Sequence, residues 1–230
     1  MAGIVGIFLL ICTLVFGGCS SLSKSGKAPQ EVPRTPAEKK KAELLRQINR
    51  KFENPEAHFE LGQLYQADGL WAKAEDEYRI VLNFNPVHRE AQAARVKVLL
   101  DGGDAAKSEL LTDIYMEQAA NSALGSLQLA LGFQKQGLDE YAFRCYQQAL
   151  RLAPNSAKVN RQIGYYYLSK DDKERAMDYL SRSFQLNPNQ PEVAGELGRL
   201  GVVVNIPRKT QKDTRKLDKT IEQYDEEIEP

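Results

Sequence analysis

Pro86, Pro154 and Pro188 stand 68 and 34 residues apart, so one proline returns on a 34-residue beat. A fixed period of that length marks a chain built from stacked copies of one small unit. Proline lacks an N–H and its ring clashes with the preceding turn, so each of these residues ends a helix. No single unit of that size buries its own apolar face, and stability has to come from neighbours stacking on one another.

In a frame that puts each proline at position 32, the unit from Pro55 carries Leu61, Gly62, Tyr65, Gly69, Ala74 and Tyr78. The unit from Ala123 carries Leu129, Ala130, Phe133, Gly137, Ala142, Tyr146 and Ala149, and the unit from Ala157 carries Ile163, Gly164, Tyr167, Ala176, Leu180, Ser183 and Phe184. Small residues at positions 8, 20 and 27 allow two antiparallel helices to come close, while large ones at 7, 11 and 24 fill the groove between pairs. This pattern resembles the tetratricopeptide repeat, a helix-turn-helix unit, over roughly residues 55–190. The resemblance implies an all-α, right-handed superhelical solenoid of antiparallel helix pairs with repeats at 55–88, 89–122, 123–156 and 157–190.

The unit at 89–122 keeps the length and the turn at Asp101-Gly102-Gly103-Asp104, but places Val96, Ser108 and Tyr115 at the three close-approach positions. It reads as a degenerate repeat with splayed or shifted helices. Thr35 as N-cap and Pro36 as first residue open a charged amphipathic helix running to about Phe52, within a capping segment 36–54. Residues 191–206 read as a partial repeat and cap, with Leu197 and Gly198 in frame, followed by a charged tail over 207–230.

The first nineteen residues are a separate object. Ala2–Gly18 holds no charged side chain and ends in Val15-Phe16-Gly17-Gly18-Cys19. That ending is similar to the signal peptide of bacterial lipoproteins, which implies cleavage before Cys19 and palmitate-type acylation of its thiol. Residues 1–18 are then a signal peptide and 19–35 a Ser-, Lys- and Pro-rich tether. The same resemblance implies the outer membrane, since Ser20 rather than an aspartate follows the cysteine. No Lys or Arg precedes the apolar run, so an uncleaved transmembrane helix stays open as the alternative. The basic residues of 23–51, nine against three acidic groups, would then hold the repeats on the cytoplasmic side.

Formal net charge is zero with 27% charged residues, which gives nucleic acid no electrostatic footprint to follow. Cys145 has no partner for an internal disulfide once Cys12 lies in the apolar run and Cys19 carries lipid. His58 and His88 belong to no triad or metal spacing, and the chain has no phosphate loop or nucleophile elbow. The expectation is a non-catalytic protein without cofactor, metal or small-molecule substrate, binding a protein or peptide partner in the cell envelope. Positions 5, 9 and 12 of each first helix face the concave groove, where such solenoids bind peptides. They nominate Phe59, Gln63, Lys97, Leu127, Leu131, Arg161, Tyr165 and Leu168, a lining suited to apolar anchors and an acidic group. Phe59 and Gln63 stand where chaperone-binding relatives carry a Lys and Asn clamp, so a cytosolic cochaperone is not expected.

Overall fold

The computed structural model describes residues 35–205, and within them every regular element is a helix. Helix α1 (Pro36–Arg50) is followed by four helix pairs and a short last helix. The pairs are α2 (Pro55–Ala67) with α3 (Trp71–Phe84), α4 (Arg89–Asp101) with α5 (Ala105–Ala119), α6 (Ala123–Lys135) with α7 (Asp139–Leu152), and α8 (Ala157–Ser169) with α9 (Lys173–Leu186). Helix α10 (Pro191–Arg199) closes the stack. Residues 1–34 and 206–230 lie outside the described residues, and with them the signal peptide, Cys19, most of the tether and the charged tail.

The turn inside each pair repeats in detail. Gly69, Gly103 and Gly137 have φ of 71°, 89° and 71°, and Asp171, at the same place in the fourth pair, has φ 55°. In all four the next N–H reaches back to a carbonyl five residues earlier: Leu70 to Tyr65, Asp104 to Leu99, Leu138 to Phe133 and Asp172 to Tyr167. This closes the helix end in the left-handed manner that glycine adopts at little cost. Asp171 takes the conformation without that freedom.

A second recurring device joins one pair to the next. At position 4 of three first helices, a polar side chain reaches the carbonyl six residues before it. His58 Nε2 lies 3.0 Å from the Phe52 carbonyl, Gln92 Nε2 donates to Pro86 at 2.7 Å, and Asn160 Nδ2 donates to Pro154 at 3.0 Å. The Pro86 and Pro154 carbonyls gain a partner in this way where the helix ladder has ended, whereas the Phe52 carbonyl also accepts from the Asn54 N–H at 2.8 Å. All three side chains are buried, His58 also against Glu77 at 2.6 Å.

Helix α1 begins with the Thr35–Glu38 capping box. It ends at Arg50, two residues short of the expected Phe52, because Lys51 turns to extended backbone and Phe52 packs its ring on His58 and Phe84. Residues Leu44, Ala57 and Leu61 form the core between α1 and α2. At the far end, Val202 and Val204 fold back onto Leu180, Phe184, Val193 and Leu197. The segment after α10 thus completes the cap although it is not helical.

The second pair is less irregular than its residues suggest. Val96, Ser108 and Tyr115 are all buried, and Ser108 Oγ donates to the Val96 carbonyl at 3.1 Å, so serine serves as the small residue that lets α5 approach α4. What shifts is its neighbour: α4 also lies directly against α6. A side chain at Gly132 would meet the Arg89 carbonyl at 3.0 Å and Ala93 Cβ at 3.1 Å, which sets how closely these two first helices cross. The largest continuous core runs from Ala93 and Val96 through Leu129, Phe133, Cys145 and Tyr146 to Tyr167 and Ala176.

Candidate functional site

The nominated groove residues divide into three groups once their neighbours are known. Leu127 is a correction: only 1% of its surface is exposed, in the core shared with Leu129 and Phe133, so its side chain meets no partner. Phe59 packs its ring on Tyr78 and His88, and Leu168 packs between the central and terminal cores. Lys97, Arg161 and Tyr165 have partners within the chain. Lys97 Nζ pairs with Asp101 one turn on at 2.5 Å, and Arg161 pairs with Glu192 at 2.8 Å while donating to Gln190. Tyr165 packs against the α10 core, and burial pushes its phenol above the ordinary value. Tyr166 and Tyr167 are both buried, so of the three consecutive tyrosines Tyr165 alone keeps a partly open face. Gln63 is half-buried, and Leu131 is exposed.

Position 12 has a role the sequence reading passed over. Tyr78 Oη donates to Gln66 at 2.7 Å and Tyr146 Oη to Gln134 at 2.5 Å, so glutamine at position 12 answers tyrosine at position 24. At the same two positions the fourth pair has Leu168 and Leu180, and the second has Leu100 and Thr112. Gln66 Nε2 then donates to Gln136 at 2.8 Å, joining the first pair to the third across the second. The inner surface is therefore tied together between α2 and α6 rather than open along its whole length.

A cleft of about 480 Å³ opens on the stack. It lies between the start of α4 and the face of α6, lined by Val87, His88, Arg89, Glu90, Gln128, Leu131, Gly132 and Lys135. Leu131 offers an apolar wall, and Gly132 lies closed against α4. Glu90 and Lys135 face each other at 3.4 Å across it, both well exposed. Of the eight nominated residues only Leu131 lines it. Arg89 was not nominated; its sequence signal is the lack of an acidic residue three or four positions away, since Asn85, Pro86, Gln92 and Ala93 stand there.

The ion pairs elsewhere are structural. Arg95, between α3 and α5, holds Glu75 at 2.7 Å and Tyr115 at 3.3 Å, with Lys107 also on Glu75. Arg144 bridges Glu109 and Asp113, drawing α7 onto α5. Among the described residues no group of three His, Cys, Asp or Glu side chains is placed to hold a metal ion, and no helix is long and apolar enough to cross a membrane. Cys145 is a buried free thiol whose pKa desolvation pushes up to about 12.

The protein adenylyltransferase Fic of Aedes aegypti is 26% identical over 138 residues, 60% of this chain and 26% of that protein. The chain thus spans about a quarter of that relative. Among solved structures, YrrB, described as a tetratricopeptide-repeat protein with an unusual peptide-binding site, is 15% identical with a TM-score of 0.38, over 71% of this chain and 84% of that one. Pseudomonas aeruginosa pilF is 24% identical with a TM-score of 0.37, over 64% of this chain and 67% of that one. Residues 157–190, the α8–α9 pair, match the family model of the tetratricopeptide repeat, and the described residues fold as a solenoid of such helix pairs.

Proposed function

We propose that this protein is a non-catalytic scaffold held on the periplasmic face of a bacterial membrane, most plainly the outer one, by lipid on Cys19. In this reading the helix pairs hold another envelope protein or peptide, in the assembly of a pilus, secretion or outer-membrane complex. The observation that carries the binding half is the open cleft between α4 and α6, with Leu131 exposed on its wall. The anchoring half rests on Gly17-Gly18-Cys19 and the polar tether that follows. A lipid-modified cysteine carrying more than one acyl chain holds a protein on its membrane stably.

Radiolabelled palmitate is expected to enter the wild type and not Cys19→Ala; equal labelling, or none in either, removes the lipoprotein reading. A reporter fused after Pro230 is expected to be active only in the periplasm. Activity only in the cytoplasm would instead favour an adaptor held in the inner membrane by an uncleaved N-terminal helix. In-cell crosslinking from Tyr165, the half-open tyrosine on α8, is expected to trap an envelope protein.

A further inference from the structure

Arg89 differs from the other half-buried cations of this molecule. Arg95 has Glu75, Arg161 has Glu192 and Lys97 has Asp101. Arg89, enclosed between α4 and the first turn of α6, has no carboxylate within ion-pair distance among the described residues. Its Nη1 donates to Gln92 Oε1 at 2.9 Å, and Gln92 is itself fully buried and fixed through Pro86 and Gln118. The guanidinium is thus held in place by a neutral acceptor that uses one of its five donors. Burial lowers its pKa from the ordinary arginine value, opposed only in part by the nearby Cys145. A charge taken from water without a counter-charge is costly, and the cost falls when a binding partner supplies one.

The rest of the cleft gives that partner a shape. Leu131 and Val87 are exposed apolar side chains lining the same cleft as Arg89. Lys135 adds positive charge at the rim, partly held by Glu90. Resting on the scaffold reading, we infer that the α4–α6 cleft recognises a peptide segment in which an acidic residue stands next to an apolar one. The carboxylate meets Arg89, and the apolar side chain packs on Leu131 and Val87. Arginine suits the task because its planar donors match a carboxylate two at a time. A guanidinium already fixed by Gln92 loses little further freedom on binding.

The test uses the full chain and an array of capped Gly- and Ser-based heptapeptides with one variable central pair, Glu, Gln or Lys beside Leu or Ser in both orders. Glu-Leu peptides are expected to be retained about tenfold over Gln-Leu, the range for a hydrogen bond to a charged group. Arg89→Gln is expected to abolish that ratio with helical content unchanged, and Leu131→Ser to abolish the Leu over Ser preference. Glu90→Gln is expected to strengthen Glu-Leu retention about threefold by freeing Lys135, a gain that misfolding does not produce. A Glu-Leu to Gln-Leu ratio near one in the wild type, or a ratio unchanged in Arg89→Gln, overturns the proposal. Should Arg89→Gln fail to fold, unchanged selection in both Glu90→Gln and Leu131→Ser does so instead. Preference for the Lys peptides discards this site and leaves the scaffold, whereas loss of every crosslinked partner in cells discards the scaffold itself.

Discussion

Gly164 is where the fold leaves least room, and replacing it with alanine gives a quantitative test of how the pairs are built. A Cβ placed there would lie 2.7 Å from both Cγ and Cδ2 of Leu180 and 3.3 Å from the Leu180 backbone nitrogen. Carbon atoms in contact prefer about 3.5–4.0 Å, so the overlap is roughly 1 Å. Leu180 is fully buried between α8 and α10, so it yields only by leaving its rotamer or by pushing α9 away from α8. Overpacking of this kind costs about 1–3 kcal/mol. Alanine returns about 1 kcal/mol of helix propensity, leaving a net loss of roughly 1 kcal/mol and at most about 2. Gly195, in the middle of α10, has nothing within 4 Å of the same added atom, so there alanine keeps its propensity gain of about 1 kcal/mol. For a chain of this size each kcal/mol moves the melting temperature by about 2–4 °C. Circular dichroism melts are therefore expected to fall by about 2–8 °C for Gly164→Ala and rise by about 2–4 °C for Gly195→Ala. A Gly164→Ala protein melting at or above the wild type would refute the claim that this glycine sets the helix separation.

Three further outcomes follow from the same geometry. Asp171→Gly is expected to raise the melting temperature slightly, by about 0.5 kcal/mol, because glycine relieves the left-handed turn that Asp171 holds at φ 55°, whereas Gly137→Ala, at φ 71°, is expected to cost about 1 kcal/mol; thermal melts of both check the sign. In a double-mutant cycle, Tyr146→Leu with Gln134→Leu, which copies the fourth pair, is expected to cost less than the sum of the single changes by about 1 kcal/mol, measured by urea unfolding. Cys145 is expected to resist iodoacetamide in the native protein at pH 8, with mass spectrometry locating label there only under denaturing conditions. Its folded pKa of about 12 stands above the roughly 8.5 of an unfolded thiol, so its contribution to stability is intact below about pH 8.5 and is lost as pH rises toward 12.

Much of the fold could be read from one strand of text. Proline and glycine act through their own covalent geometry, so Pro86, Pro154 and Pro188 and the Gly69, Gly103 and Gly137 turns declare helix ends without reference to anything distant. Local pairing was equally legible, since Lys97 and Asp101 are four residues apart on one helix. The candidate site was less so. Arg161 reads as a free cation until α10 brings Glu192 to it from 31 residues away, and Leu127 reads as a groove residue until α6 turns it into the core.

The sequence by itself therefore determined that this is an all-helical stack of paired units, because a period, a breaker and a small-residue code each act within one unit. Only the tertiary structure decided which side chains are spent on holding the stack together and which remain free. The crossing of α4 on α6 at Gly132 and the Gln66–Gln136 tie depend on how the units sit on one another. Such contacts join residues tens of positions apart, and no spacing along the chain encodes them.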